Sequence, residues 1–210
     1  MVGESCLRRL LAHSAYSKVT VWSRRALPAV HEKLEVELVD FDGISAAVES
    51  FDEIFCCLGT TIRKAGSQEA FRRVDHDFPL ALAKLGKAAG AQQFLMVSAL
   101  GADAQSSFFY SRVKGETERD IAAIGLPKVI FMRPSILLGE RREHRSGERA
   151  GIVAGRLIAP LLVGPLRKYR PIYADDVAAA MLHAANHDVH PGAIDSDKIA
   201  RLAQQETAGK

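Results

Sequence analysis

The chain has 210 residues, 48% of them apolar and 25% charged, and its 28 basic and 25 acidic residues leave a formal net charge of +3. That is enough chain for one domain around a single core, and no window approaches the roughly 18 uninterrupted apolar residues of a membrane span. The small, dispersed basic excess argues against a nucleic-acid partner. The densest basic stretch, Arg141 to Arg145, is interrupted by Glu143 and reads as a solvated loop or substrate lid. The start, Met1-Val2-Gly3-Glu4-Ser5, has no secretory pattern. Cys6, Cys56 and Cys57 form no CxxC pair, which suits a reducing cytoplasm better than a disulfide scaffold.

Taken in order, Glu4 to Ala12 is expected to be helical, with Cys6, Leu7, Leu10 and Leu11 as its apolar stripe. Val19-Thr20-Val21-Trp22 is a short strand ending at Ser23-Arg24-Arg25. Leu34 to Phe41 is a second strand, and a short helix begins over Ile44 to Val48. Glu53 to Leu58 is a third strand, halted by Gly59. A long helix follows from about Gln68 to Gly90, broken near Pro79, with Phe71, Val74, Phe78, Leu82 and Leu85 buried. Phe94 to Val97 is an apolar strand ending at Ser98. Phe109 to Ala123 is a helix stopped by Gly125, and Val129 to Met132 a strand ended by Arg133-Pro134. Residues 140–150 read as polar loop, Ile152 to Leu162 as a hydrophobic helix, and Asp175 to Ala185 as the last helix. Beyond Gly192 the pattern thins, so a frayed tail is expected.

Short apolar strands alternating with amphipathic helices predict an α/β, Rossmann-like, doubly wound parallel sheet. Ligands of such sheets bind at the carboxyl ends of the strands. Here those ends carry Ser23, Arg24 and Arg25; Asp40 and Phe41; Cys57, Leu58 and Gly59; Ser98; and Arg133, Pro134 and Ser135. All are expected to line one crevice. A doubly wound nucleotide domain opens with a central strand and a glycine turn, whereas this chain opens with a helix. The expected fold is therefore N-terminally truncated, its first strand absent and only Gly3 left of the turn. Two explanations stand: a start assigned too late, or a protein with altered or lost cofactor binding. In either case the strands at 19–22 and 53–58 would face a gap about two strand spacings wide.

Tyr110 and Lys114 are four apart on one helix face. A phenol is a poor acid or base near neutral pH, and a neighbouring cation brings it into range. Tyr110 is thus the candidate acid/base and Lys114 its electrostatic partner and a cofactor-ribose ligand. Ser98, at the preceding strand end, is the candidate carbonyl donor. Arg24 and Arg25 would accommodate a 2′-phosphate, which favours NADP(H) over NAD(H). Asp40 and Phe41 would flank adenine. Asp75-His76-Asp77 reads as solvated helix surface. His183, His187 and His190 show no carboxylate partner, so no metal site is expected. Cys57 reads as packing.

These strings resemble the atypical short-chain dehydrogenase/reductases, and within them the Tat-interacting-protein oxidoreductase branch and its bacterial relatives. The resemblance runs from Gly3 to about Ala185. It rests on Val19 to Arg25, Cys56-Cys57-Leu58-Gly59-Thr60-Thr61, Lys64-Ala65-Gly66, Phe71 to Asp75, Val97 to Asp103, Tyr110 with Lys114-Gly115-Glu116, and Arg133 to Gly139. The Arg142, Glu143, Arg145, Gly147 and Glu148 loop fits too. The resemblance implies an NAD(P)-binding domain with tyrosine and lysine in catalytic register. Of the family's Gly-x-x-Gly-x-x-Gly only Gly3 matches. Ala99 stands where a second hydroxyl residue is common.

The chain is thus expected to be a single NAD(P)-binding domain over 1–210, with 186–210 a peripheral tail. The leading expectation is an NADP(H)-preferring oxidoreductase of small carbonyls or alcohols, able to form a homodimer. One alternative is a cofactor sensor or scaffold without efficient turnover, which Ala99 favours. The other is a nucleotide-sugar epimerase or dehydratase, disfavoured by the lack of a substantial domain after residue 185.

Overall fold

The computed structural model describes residues 1–44, 50–139 and 162–208. The short helix expected over 44–48, the 140–150 loop and the helix expected over 152–162 fall wholly or largely outside them.

The chain opens with helix α1 (Val2–Ala12), then strands β1 (Val19–Ser23), β2 (Leu34–Leu38) and β3 (Glu53–Cys56). Helices α2 (Ile62–Ala65) and α3 (Gln68–Arg72) lead through a π-helical turn, Arg73–Asp77, into α4 (Phe78–Ala88). Next come β4 (Gln93–Val97), α5 (Phe109–Ala122), β5 (Lys128–Arg133) and the two-residue β6 (Leu137–Leu138). After the undescribed segment follow β7 (Ile172–Tyr173), α6 (Ala174–Asn186), β8 (Gly192–Asp195) and α7 (Ser196–Ala208).

Every described strand pairing is parallel. β3, β4, β5 and β8 form one sheet in that order, β1 pairs with β2, and β6 with β7. The period of two along β4 explains the layering. Phe94 and Met96 face one core with Ala83 of α4 and Ile121 of α5. Leu95 faces the other, with Leu10 of α1, Met181 of α6 and Ile199 of α7. Helices therefore cover both faces, as a parallel sheet requires.

The chain after Gly192 differs from the frayed tail expected of it. β8 adds to the edge of β5, and α7 buries Ile199 and Ala203 in the core. Their apolar positions are few but fall on one helix face, enough once α6 offers its alanine-rich surface. The second strand stops at Leu38, because the Asp40 carboxylate accepts the Asp42 N–H at 3.1 Å and turns the chain into a 3₁₀ turn.

β1 and β3 do not pair with each other. Between them lies a cleft of 1480 Å³, floored by α1. Trp22 lines it, and its indole Nε1 is buried without a hydrogen-bond partner.

Candidate functional site

The site is organised by Pro79. A proline cannot donate to the carbonyl four residues back, and its ring crowds that carbonyl. Here that carbonyl belongs to Asp75. The helix does not break, as the sequence suggested. It widens into the π turn, the usual accommodation of an interrupted ladder. The Asp75 carbonyl is then met from α5 by Thr117 Oγ1 at 3.0 Å; the same hydroxyl lies 2.7 Å from the Val113 carbonyl, so one proton serves both.

The turn carries the Asp75 side chain inward, to 1% exposure. Its Oδ2 accepts the Thr60 N–H at 2.8 Å, from the loop at the end of β3. Its Oδ1 lies 2.7 Å from Lys114 Nζ, an ion pair shut away from solvent. His76 follows it inward: Nδ1 reaches Asp77 at 2.7 Å, and Nε2 reaches Asp120 on α5 at 3.0 Å. Asp75 and His76 are therefore buried, not the solvated surface expected of them. A regular helix would have turned them elsewhere, and the one local clue was a proline four residues after an aspartate.

Tyr110 lies on the first turn of α5, one turn before Lys114, with its ring centroid 5.6 Å from that of buried Phe71. Burial raises its phenol pKa, Lys114 pulls it down, and Asp75 pushes it up; the net direction is upward. The lysine acts in the expected direction, but burial, the largest influence, outweighs it, and Asp75 adds to the rise. Gly115 lets the helix come this close. A Cβ there would stand 2.1 Å from the backbone nitrogen of Ala104.

Ser98 is buried at the end of β4, and its hydroxyl donates to Glu118 Oε1 at 2.5 Å. Glu118 also holds Arg133, whose Nη2 lies 2.5 Å from Oε2. Both sequence-selected side chains are thus engaged by one buried glutamate that sequence reasoning missed. Ser135 donates to the Arg170 carbonyl and accepts from Ser196 Oγ at 3.1 Å, while Pro134 is buried beside it. Asp40 is spent as a cap, and Phe41 packs on Phe78 with centroids 5.6 Å apart.

The cleft gathers a different subset: Gly3, Ser23, Arg24, Arg25, Phe41, Cys57, Leu58 and Gly59. Gly3 opens α1 against the end of β3, where a Cβ would lie 3.2 Å from Cys57 Cβ. A helix N-terminus has unpaired N–H groups, and a glycine there keeps its approach open. A dinucleotide in this cleft would find glycines and helix N–H groups suited to phosphates, and polar side chains from Ser23, Arg24 and Arg25 suited to a ribose.

A parallel sheet covered on both faces, with a tyrosine and lysine on the helix after its fourth strand, defines an NAD(P)-binding protein of Rossmann type. The chain belongs to the NAD dependent epimerase/dehydratase family, whose model matches residues 1–195. Among curated proteins it is 41% identical to rat Protein HTATIP2 over 152 residues, covering 70% of this chain and 62% of that one. It is 31% identical over 215 residues to Protein FMP52, mitochondrial, of Eremothecium gossypii, covering 98% and 94%. The chain thus spans under two thirds of the rat protein. Among solved structures, MoeE5 in complex with UDP-glucose and NAD superposes with a TM-score of 0.67 at 14% identity, covering 99% of this chain and 79% of that one. Human epimerase family protein SDR39U1 with NADPH gives 0.58 at 19%, covering 99% and 76%. At such identities the likeness is one of fold.

Three expectations are corrected. The preference for NADP(H) does not stand: MoeE5 holds NAD in both its complexes, and NADPH is named only for the SDR39U1 structure among those compared. Arg24 and Arg25 are exposed at the cleft mouth, and an exposed pair does not by itself select a phosphate. The cytoplasmic expectation yields to the FMP52 relatives, which are named mitochondrial; few cysteines do not separate one reducing compartment from another. The ranking that put epimerase or dehydratase chemistry last is reversed by the family match. No helix among the described residues is long and apolar enough to cross a membrane.

Proposed function

We propose that this chain is an NAD-dependent enzyme of the epimerase/dehydratase type, oxidising an alcohol carbon of a nucleotide-sugar-type substrate with Tyr110 as its acid/base. Bound NAD supplies the hydride acceptor. An alcohol that gives up hydride must also give up its hydroxyl proton to become a carbonyl. Tyr110, on the exposed start of α5, takes that proton and returns it in the reverse step. Lys114 holds the site's cation one turn away, and Asp75 holds Lys114. The observation that carries this reading is the buried Lys114–Asp75 pair beneath Tyr110. Support for the substrate class comes from the family match and from the UDP-glucose held by MoeE5.

A second reading has its own observation. Ser98 is tied to Glu118 and Ala99 carries only a methyl group, so neither offers a free hydroxyl to a substrate carbonyl. That favours a protein that binds the dinucleotide without efficient turnover. The discriminating experiment measures NADH binding and, separately, product formation from UDP-glucose and a panel of nucleotide sugars and secondary alcohols supplied with NAD, read by chromatography as well as by NADH absorbance. Binding with turnover supports the enzyme, and binding alone supports the sensor. Absence of binding overturns both.

The two facing edges of β1 and β3, and the unpartnered Trp22 Nε1 between them, also suit an additional extended segment lying parallel in the cleft. On this reading such a segment would join the two sheets and firm the dinucleotide site at their carboxyl ends.

A further inference from the structure

α6 and α7 lie against each other, and near the end of α6 they bring together three metal-ligand side chains from opposite ends of the sequence interval 183–206. His183 and His187 are one helical turn apart, with ring centroids 4.0 Å apart and planes 13° from parallel. Glu206, buried on α7, faces them. One donor atom from each of the three lies within 4.8 Å of the others.

Two details favour a cation over a plain ion pair. His183 Nδ1 is shut off from solvent with no hydrogen-bond partner. Glu206 Oε2 stands 3.6 Å from it, too far for a hydrogen bond. Two donors bound at about 2.0–2.1 Å to one tetrahedral ion stand roughly 3.3 Å apart, close to this separation. The second detail concerns His187, whose Nδ1 lies 3.0 Å from the His183 carbonyl. Nδ1 must carry the hydrogen there, which leaves Nε2 with its lone pair free. The backbone beneath is anchored by Lys128, whose Nζ donates to the carbonyls of Ala184 at 2.7 Å and His187 at 3.1 Å.

We propose that His183, His187 and Glu206 form a binding site for a zinc-class transition-metal ion that clips α7 to α6, the exposed His187 ring turning out of its stack on His183 so that both in-plane lone pairs meet the ion. Two imidazoles and one carboxylate are borderline donors, suited to zinc, cobalt or nickel rather than magnesium or calcium. Water completes the coordination. The site lies outside the Tyr110 machinery and does not depend on the reading of it. The sequence hid it because its carboxylate comes from a helix that read as tail.

The test uses the full chain stripped of metal with a chelator, then titrated with Zn(II) and, separately, Co(II). One equivalent is expected to bind, to raise Tm by roughly 5 °C at saturating metal, and with Co(II) to give the visible absorption of a low-coordinate ion. His187→Ala, at an exposed position, is expected to weaken binding at least tenfold and abolish the Tm rise, and Glu206→Gln to do the same. If Glu206→Gln does not fold, His187→Ala decides. His190→Ala serves as the control and should change neither. No Tm rise in the parent chain, an unchanged rise in His187→Ala, or an equal loss in His190→Ala overturns the proposal.

Discussion

The ammonium of Lys114 lies 2.7 Å from the carboxylate of Asp75, and both side chains are at least 96% withdrawn from solvent. A buried ammonium is costly to desolvate unless an opposite charge meets it. The aspartate that meets it also opposes its pull on Tyr110. The candidate site therefore rests on a buried pair that includes a residue 39 positions away, delivered by a π turn.

Asp75→Asn keeps an acceptor for the Thr60 N–H but leaves the ammonium uncompensated. Breaking a buried pair from one side costs about 3–5 kcal/mol. Urea unfolding should show that loss, and pairing Asp75→Asn with Lys114→Met should recover part of it. A single variant within about 1 kcal/mol of the parent chain would show that the pair carries little stability.

Tyr110→Phe removes the proposed proton carrier while leaving the ring against Phe71. Turnover should fall by about 10²–10⁴ and NADH affinity should stay within about twofold. Retained turnover removes Tyr110 from the mechanism.

The upward shift of the Tyr110 phenol sets the sign of the pH profile. In the oxidising direction the phenolate is the working form, so the rate should climb as pH rises through neutrality toward the ordinary tyrosine range. Asp75 helps push this pKa up, so an Asp75→Asn protein that still folds should have its profile displaced to lower pH. A displacement to higher pH would contradict the geometry.

Gly115→Ala drives a methyl into the backbone at Ala104. The loop or α5 must move, at a cost of about 1–3 kcal/mol or more. Differential scanning calorimetry should show a lowered Tm, and turnover should fall with it because Lys114 is the adjacent residue. A parent-like Tm would mean the loop yields freely.

A short Val- and Ile-rich peptide, added separately, tests the cleft between β1 and β3. Saturating peptide should raise Tm and tighten NADH binding, with the indole emission of Trp22 reporting its entry. Unchanged emission and Tm would mean that the cleft does not take a strand.

Much of the architecture was legible because it follows from short-range rules. The alternation of apolar strands with amphipathic helices, and the polar ends of the strands, needed only periodicities of 2 and 3.6 residues. The i, i+4 relation of Tyr110 and Lys114 is fixed by any α-helix. What those residues touch is a different matter. Asp75 read as surface because a regular helix was assumed through Pro79, and Ser98 read as a free donor because Glu118, twenty residues on, had no visible claim on it. α7 read as tail because its few apolar positions gain meaning only against α6. Local sequence determines which elements form and which residues share a face. Which charges are neutralised, which hydroxyls are already engaged and which carboxylate meets which histidine depend on contacts between elements distant in the chain, and only the tertiary structure decided those.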